Sequence, residues 1–473
     1  MNRKTRRKKG KHRFLGAFFI LAVLNLIAFV LTLSLPTGAF DRPEGGRTVI
    51  PGSYNKIEIE PMPLHILFTA PFAILRGETG PSVLFFCFSI LCGGIANQLI
   101  AFSGIRECMA SYAARIFGKH KHLFLAATAL LFMAATSLFG AGEQLILFVI
   151  VVCPIVEALG WDLFTGLDAS FLALSVGAAI PVSDPSSLGM AQALAGLPLF
   201  SGTGFRVICF CILYGLLILF LFRSAEKQSS VHNLKLDTEE VAPEAKNTSN
   251  NGKLLKASEF FLLATGCALI YVVVASVVPG LDREGAIAVS GLCFLLGSIG
   301  GALISGLSPA RILSSFLRGA VHAIPAVILI AMAESIQYLL NRGGVMDTIL
   351  TVLSDFPANV QPLAASIWVF GFSAIGGLII LDTPTRVFQH LPLILSLSGI
   401  VRVSRQSMLV GAFLGSGLSG ILFPTAPILL SGLYLGGSTY PAWLRHIRGF
   451  TLAFVGVSVL LLILAQVTGL GPL

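Results

Sequence analysis

Six polar or ionisable side chains fall inside or between long apolar stretches of this sequence: Glu143, Gln144, Asp184, Asp382, Arg386 and His390. A charged group at the centre of a bilayer costs about 2.5–3.5 kcal/mol on insertion scales, so each of these groups needs a partner or a task. Glu143 and Gln144 stand in the segment Gly140-Ala-Gly-Glu143-Gln144, and Asp382 and Arg386 bound Asp382-Thr-Pro-Thr-Arg386, with His390 one turn further on. Asp184 lies in Pro181-Val-Ser-Asp-Pro-Ser-Ser-Leu-Gly189, and a second segment of that kind, Phe423-Pro-Thr-Ala-Pro427, carries hydroxyls without a charge. Glu334 and Arg342 sit near the end of a span, where snorkelling explains them.

The chemistry these residues suit is the capture of a small ion. A guanidinium in a dry cavity binds a carboxylate bidentately, so Arg386 is the expected substrate contact, with Asp382, Thr383 and Thr385 beside it. Asp382 lies four residues before Arg386, and mutual neutralisation of the two is an equally good reading. Prolines in both broken segments free backbone amides and carbonyls from their helical partners. Amides at a restarting helix favour an anion, which adds Ser186, Ser187 and Thr425 to the substrate set. Glu143, Gln144, Asp184, Ser183, Ser416 and Ser419 are expected to handle a coupling ion, a proton or sodium. Prolines that merely kink a helix and a structural hydrogen bond at the Glu143 tip are the plainer readings. His390 on an apolar arm reads first as a packed helix residue.

Two other chemistries have signals in the sequence. Gly417-Leu-Ser419-Gly420 is a GxSG tetrapeptide with His446 downstream, the pattern of an intramembrane serine protease. It is short, glycine and serine are common wherever membrane helices pack, and His446 lies in a basic boundary segment. The eight cysteines, Cys87, Cys92, Cys108, Cys153, Cys209, Cys211, Cys267 and Cys293, form no CxxC pair and read as small apolar packing residues. No cofactor, resident metal or enzymatic activity is expected.

The elements that must hold these residues are membrane helices. With 473 residues, 55% hydrophobic and 12% charged, and a mean hydropathy of +0.86, the chain lacks the polar surface of a soluble protein. Apolar runs at 14–35, 83–103, 205–222, 260–279, 285–307, 320–340 and 445–470 approach or exceed the roughly 20 residues a spanning helix needs. Continuous hydrophobicity excludes a membrane barrel, whose strands alternate. Eight of the nine net positive charges lie between Arg3 and Arg13, a basic tail directly before a spanning helix. Retention of that tail in the cytoplasm explains it better than binding of nucleic acid, which is not expected, or of anionic lipid.

The polar stretch from Arg223 to Lys256 divides the hydrophobic chain, and the two halves share an order of features. Gly177-Ala-Ala-Ile-Pro181 and Gly420-Ile-Leu-Phe-Pro424 have one GxxxP spacing, each followed by a further proline, Pro185 or Pro427. Pro154 and Gly160 precede the first, as Pro392 and Gly399 precede the second, and Gln98 to Gly104 resembles Gln337 to Gly343. Internal symmetry of this sort marks transporters built from repeats. Segments 122–159 and 363–400 are each two apolar arms around a polar tip, which reads as a re-entrant hairpin. The expected fold is therefore an all-α polytopic membrane protein of two inverted repeats, with about nine transmembrane helices, two re-entrant hairpins and broken helices at the midplane. Its expected parts are a tail at 1–13 and a first repeat at 14–224 with hairpin 122–159 and broken helix 166–200. A cytoplasmic linker at 225–257 and a connecting helix at 258–280 follow, then a second repeat at 285–473 with hairpin 363–400 and broken helix 406–436.

At these residues the chain resembles the YfcC family of carriers, relatives of the anaerobic four-carbon dicarboxylate carriers within the larger ion-transporter superfamily. Leu35-Pro-Thr-Gly-Ala-Phe-Asp-Arg42 and Val49-Ile-Pro-Gly-Ser-Tyr54 look like that family's first external segment. Phe139-Gly-Ala-Gly-Glu143 looks like its first hairpin tip, Val403-Ser-Arg-Gln406 like the segment after its second hairpin, and Pro424-Thr425 like its second break. The resemblance implies an elevator-type secondary transporter, dimeric, in the bacterial inner membrane. Departures matter as much: Asp184-Pro185 stands for the family's Asn-Pro, Leu381-Asp-Thr-Pro-Thr-Arg386 for a Pro-Ser-Gly-Ser-Gly-Gln tip, and Ser416 and Gly420 for an Asp and an Asn. The expected function is secondary transport of a small carboxylate-bearing solute, a dicarboxylate or amino acid, coupled to protons or sodium. A membrane sensor with a degenerate carrier site is the alternative.

Overall fold

The computed structural model describes residues 3–43, 48–77, 80–236, 251–278, 280–354, 361–380, 386, 389–395, 398 and 403–471. Among them the chain is almost wholly helical, and the strand pairing there is one short antiparallel ladder, Gly38–Ala39 with Asn55–Lys56. In chain order the helices of the first half are α1 (Arg3–Ser34), α2 (His65–Ala73), α3 (Gly80–Ser103), α4 (Ile105–Phe117), α5 (Lys121–Phe139), α6 (Val149–Ala158), α7 (Leu163–Ala179), α8 (185–194) and α9 (Thr203–Leu236). The second half holds α10 (Asn251–Val277), α11 (Arg283–Ile304), α12 (Pro309–Arg342), α13 (Met346–Ser354), α14 (Pro362–Gly376), α15 (Arg405–Leu422), α16 (Pro427–Gly436) and α17 (Tyr440–Val467). The centre of the expected linker, 237–250, lies outside the described residues, while its flanks continue α9 and begin α10.

Nine helices among the described residues are long and apolar enough to cross a membrane. They are not quite the nine read from the sequence. The stretch Ile105–Phe139, α4 and α5 joined through a short 3-10 turn, qualifies, and it contains the first arm of the expected hairpin. The first broken helix does not, because its flank Leu163–Ala179 is too short alone. Outward faces carry large apolar residues such as Phe19, Leu263 and Leu452, 69%, 68% and 76% exposed, as lipid contact demands.

Helices in lipid gain little from apolar burial against one another and rely on close packing. Accordingly α3 sits between α11 and α12 at glycine contacts: a Cβ on Gly319 would stand 2.6 Å from the Ile95 Cα, and one on Gly291 would stand 2.9 Å from the Ser89 Cα. A second unit joins α1, α2, α12 and α13 around Leu21, Phe29, Ile66 and Leu339. Asn25 locks it, donating to the Met332 carbonyl at 2.8 Å and accepting from Ser335 Oγ at 2.7 Å. Phe40, Arg42 and Tyr54 are pinned to α13: Asp347 accepts from the Phe40 amide at 3.0 Å and from Arg42 at 2.8 Å, and Tyr54 meets Thr348 at 2.8 Å.

Both broken segments are as their prolines require. Ile180 leaves helical geometry (φ −140°, ψ 76°) just before Pro181, and α8 restarts with Pro185 in its first turn. Phe423 is extended (φ −88°, ψ 135°) before Pro424, and α16 restarts on Pro427.

Candidate functional site

The first break is built against the end of α5. Ser137 donates to the Ile180 carbonyl at 2.5 Å, and its own carbonyl accepts from the Val182 amide at 2.8 Å and the Ser183 amide at 3.3 Å. Ser183 Oγ donates to the Leu138 carbonyl at 3.2 Å, so this hydroxyl is committed to the end of α5. Asp184, 4% exposed, caps α8: Oδ1 accepts from the amide of Ser186 at 2.8 Å and its hydroxyl at 2.6 Å, and Oδ2 accepts from the amide of Ser187 at 3.2 Å and its hydroxyl. A carboxylate offers about four lone-pair positions, and all are taken. Gly140 closes α5 in the left-handed region (φ 69°), and a side chain there would collide with Asp184 Oδ1 and Ser186 Oγ. Tip and break therefore touch through glycine, with Glu143 and Gln144 half-buried on the turn that follows.

The second break answers this contact by contact. Thr425 Oγ1, fully buried, donates to the Gly377 carbonyl at 3.2 Å, the counterpart of Ser183 on Leu138. Gly177 of α7 lies on the Met133 carbonyl of α5, and Gly415 of α15 lies on the Phe370 carbonyl of α14. Gly420, which the GxxxP spacing sets against Gly177, faces open space instead. The broken helices cross where Gly417 meets Ala179, and the first tip reaches the second break at Gly142 and Ile428, so both breaks share one region.

Arg386 enters that region from the segment between α14 and α15. It is 8% exposed, and Nη1 donates to Ser416 Oγ at 3.2 Å and Ser419 Oγ at 3.0 Å. Ser419 Oγ in turn donates to the Ser416 carbonyl at 2.7 Å. His390 is buried, packs on Phe372 with ring centroids 5.1 Å apart and on Gly376, and its Nε2 has no partner among the described residues. Arg386, His390, Ser373, Ser416 and Phe413 line a cavity of about 30 Å³, room for two or so waters at about 10–15 Å³ each. Asp382, Thr383 and Thr385 lie outside the described residues.

Sequence reasoning passed over two buried groups. Arg206, 1% exposed, donates to the Pro181 carbonyl at 3.3 Å and Gln406 Oε1 at 3.4 Å and lies over the Phe413 ring. Gln406 also donates to Ser201 Oγ at 2.5 Å, and Arg405 reaches the Ala195 carbonyl at 2.7 Å, so Val403–Gln406 ties α15 to the chain beyond the first break. The second group is Asp168, whose Oδ2 is 2.8 Å from His446 Nε2. Its signal in the sequence was a lone acid in an apolar run. That pairing separates the would-be protease residues, since His446 holds Asp168 while Ser419 holds Arg386 and Ser416.

Residues 15–467 match the family described as DcuC, C4-dicarboxylate anaerobic carrier. Among relatives, the Escherichia coli K12 protein named "Putative basic amino acid antiporter YfcC" is 23% identical over 462 residues, covering 90% of each chain. An uncharacterized protein of Haemophilus influenzae Rd is 23% identical over 406 residues, 84% of this chain and 77% of its own. Among solved structures, the Alcanivorax borkumensis YdaH transporter aligns with a TM-score of 0.44 at 15% identity, covering 98% of this chain and 100% of that one. Neisseria gonorrhoeae MtrF, described among antimetabolite efflux pumps, aligns at 0.40 and 14%, covering 95% and 94%. With the match running through nearly every helix described above, the chain belongs to the C4-dicarboxylate anaerobic carrier family.

Proposed function

We propose that this protein is a secondary active carrier of a small carboxylate-bearing solute, a dicarboxylate or an amino acid, and that Arg386 contacts the carboxylate. The observation that carries this reading is a buried guanidinium lining a cavity at the second break, aimed by two serine hydroxyls. The solutes in the names of the family and of YfcC, C4-dicarboxylates and basic amino acids, share one feature, a carboxylate. Asp382, Thr383 and Thr385, which precede Arg386 in the sequence, are proposed to share in binding the solute, and Ser186, Ser187 and Thr425 supply hydroxyls at the breaks. The cavity is too small for such a solute, so loading requires Arg386, His390 and Ile394 to part from α15.

In this reading Glu143 and Gln144 handle the coupling ion, a proton or sodium, from the first tip. Asp184 can join them only if Ser186 and Ser187 turn away, since both its oxygens are engaged. Ser183, Ser416 and Ser419 offer further oxygens on the same condition. The architecture proposed is a pair of inverted repeats with two re-entrant hairpins, working as an elevator within a homodimer in the bacterial inner membrane. The matched pairs Ser183 on Leu138 with Thr425 on Gly377, and Gly177 on Met133 with Gly415 on Phe370, support the repeat.

The test is a thermal-shift screen of purified protein against succinate and L-arginine, with and without sodium at two pH values. One solute class is expected to raise the unfolding midpoint of the parent and not of Arg386→Gln. No shift with either class, together with no uptake into liposomes under a proton or sodium gradient, would move the protein to the sensor reading.

A further inference from the structure

A second buried ionic site lies apart from Arg386, where the start of the first broken helix meets the last helix. Asp168 of α7 is 0% exposed, and its Oδ2 is 2.8 Å from Nε2 of His446 on α17. Its other oxygen, Oδ1, is buried and has no donor among the described residues. The contrast with Asp184, sixteen residues on in the same broken helix, is informative. There a carboxylate with a structural capping duty takes four donors, whereas Asp168 meets His446 alone at Oδ2 and leaves Oδ1 without a donor among the described residues. The partner is also the one cationic side chain whose charge comes and goes in the physiological range, where arginine or lysine would make a permanent pair.

The surroundings are dry on one side and reachable on the other. Phe164 stacks on the imidazole at 4.6 Å, Phe220 stands edge-on at 5.5 Å, and the Trp443 ring lies 6.0 Å away. His446 keeps 11% of its side chain accessible while Asp168 keeps none, so a proton would arrive and leave through the imidazole. Asp168 opens a π turn, Asp168–Leu172, an irregularity of the kind frequent at functional sites.

Other ionisable groups around the pair have their own partners or lie at the margin. Asp162 caps α7 through the Leu163 amide at 2.7 Å, and Glu157 of α6 pairs with Arg106 of α4 at 3.1 Å. Cys153 of α6 packs on Gly166 as a buried thiol, and Tyr440 of α17 donates to the Leu422 carbonyl at 2.8 Å. Lys121 and His122 of α5 lie on Trp161. Arg223 and Glu226 of α9 and Arg445 and Arg448 of α17 are exposed, and Tyr434 of α16 faces α3 and α12 at Gly94.

We propose that Asp168 and His446 form a proton-binding site, which gains one proton on the imidazole and passes from a net charge of −1 to neutrality within the helical body. As a second coupling site of a carrier, beside Glu143 and Gln144, it rests on the reading above; as a proton site it stands without it. The experiment uses Trp443 as the probe, because a protonated imidazole quenches an adjacent indole. In Trp161→Phe/Trp368→Phe protein, emission should fall sigmoidally as pH drops between about 8 and 5. His446→Gln should lose that titration, and Asp168→Asn should shift its midpoint. The same titrating component should appear as the difference between the parent and Trp443→Phe, which serves if the double variant does not fold. Flat Trp443 emission, or a titration that persists in His446→Gln, overturns the site whatever the protein carries. In liposomes loaded with succinate or L-arginine, His446→Gln should then keep solute exchange and lose uptake driven by a proton gradient. If the fluorescence titrates while neither solute moves in the parent, the proton site stands and the carrier reading falls.

Discussion

Replacing Arg386 with glutamine separates a solute contact from an internal neutralisation. The side chain donates to Ser416 at 3.2 Å and to Ser419 at 3.0 Å. Ser419 keeps its bond to the Ser416 carbonyl when the guanidinium goes, so the loss at the two serines is about 1 kcal/mol for each hydrogen bond. Removing a buried cation returns a desolvation penalty of several kcal/mol, so net stability should change by no more than about 1–2 kcal/mol. Binding should suffer as much or more, because a charge-assisted contact with a carboxylate is worth about 1.5–3 kcal/mol. That corresponds to affinity weakened roughly ten- to a hundredfold. Denaturant or thermal unfolding in detergent reads the first quantity, and titration of the solute found in the screen reads the second. If Arg386 serves only to neutralise Asp382, the pattern inverts: Arg386→Gln should cost about 3–5 kcal/mol, Asp382→Asn/Arg386→Gln should recover it, and affinity should be unchanged. That inversion would refute the reasoning.

Other consequences follow from single contacts. Asp184→Ala removes a cap that serves two amides and two hydroxyls, and should cost about 1–2 kcal/mol in thermal unfolding, with Asp184→Asn recovering most of it. Gly177→Ala and Gly415→Ala press a methyl on a facing backbone carbonyl and should each destabilise by about 1–3 kcal/mol. Gly420→Ala meets open space in a helix and should be neutral or stabilising by about 0.5–1 kcal/mol; equal losses at all three glycines would contradict the packing. Asp347→Ala should destabilise more than Arg42→Ala, because the acid also accepts the buried Phe40 amide while Arg42 is one-third exposed.

What the sequence disclosed about this fold is what simple physics writes into it. Continuous apolar runs revealed the membrane, and Pro181, Pro185, Pro424 and Pro427 revealed where two helices must break. Where packing decides, the pattern misled: GxxxP spacing aligned Gly177 with Gly420, yet the glycine that makes the equivalent close approach is Gly415, because helix contacts follow facing backbones and not distance to a proline. Arg386, Ser416 and Ser419 were legible as polar groups near the second break, but that they bind one another depends on the path of the chain over the intervening thirty residues. Asp184 looked available for an ion and is occupied by its own downstream serines, a local capping preference that Asp-Pro-Ser-Ser spells out. Asp168 is invisible as a partner in the sequence because His446 lies 278 residues along the chain.

The central claim, a carboxylate carrier with its contact at Arg386, is tested most directly by uptake into liposomes. Purified protein should accumulate radiolabelled succinate or L-arginine under an imposed proton or sodium gradient, and Arg386→Gln, folded to the same extent, should not. Equal accumulation by parent and Arg386→Gln would contradict the claim, and so would no accumulation of either solute by the parent.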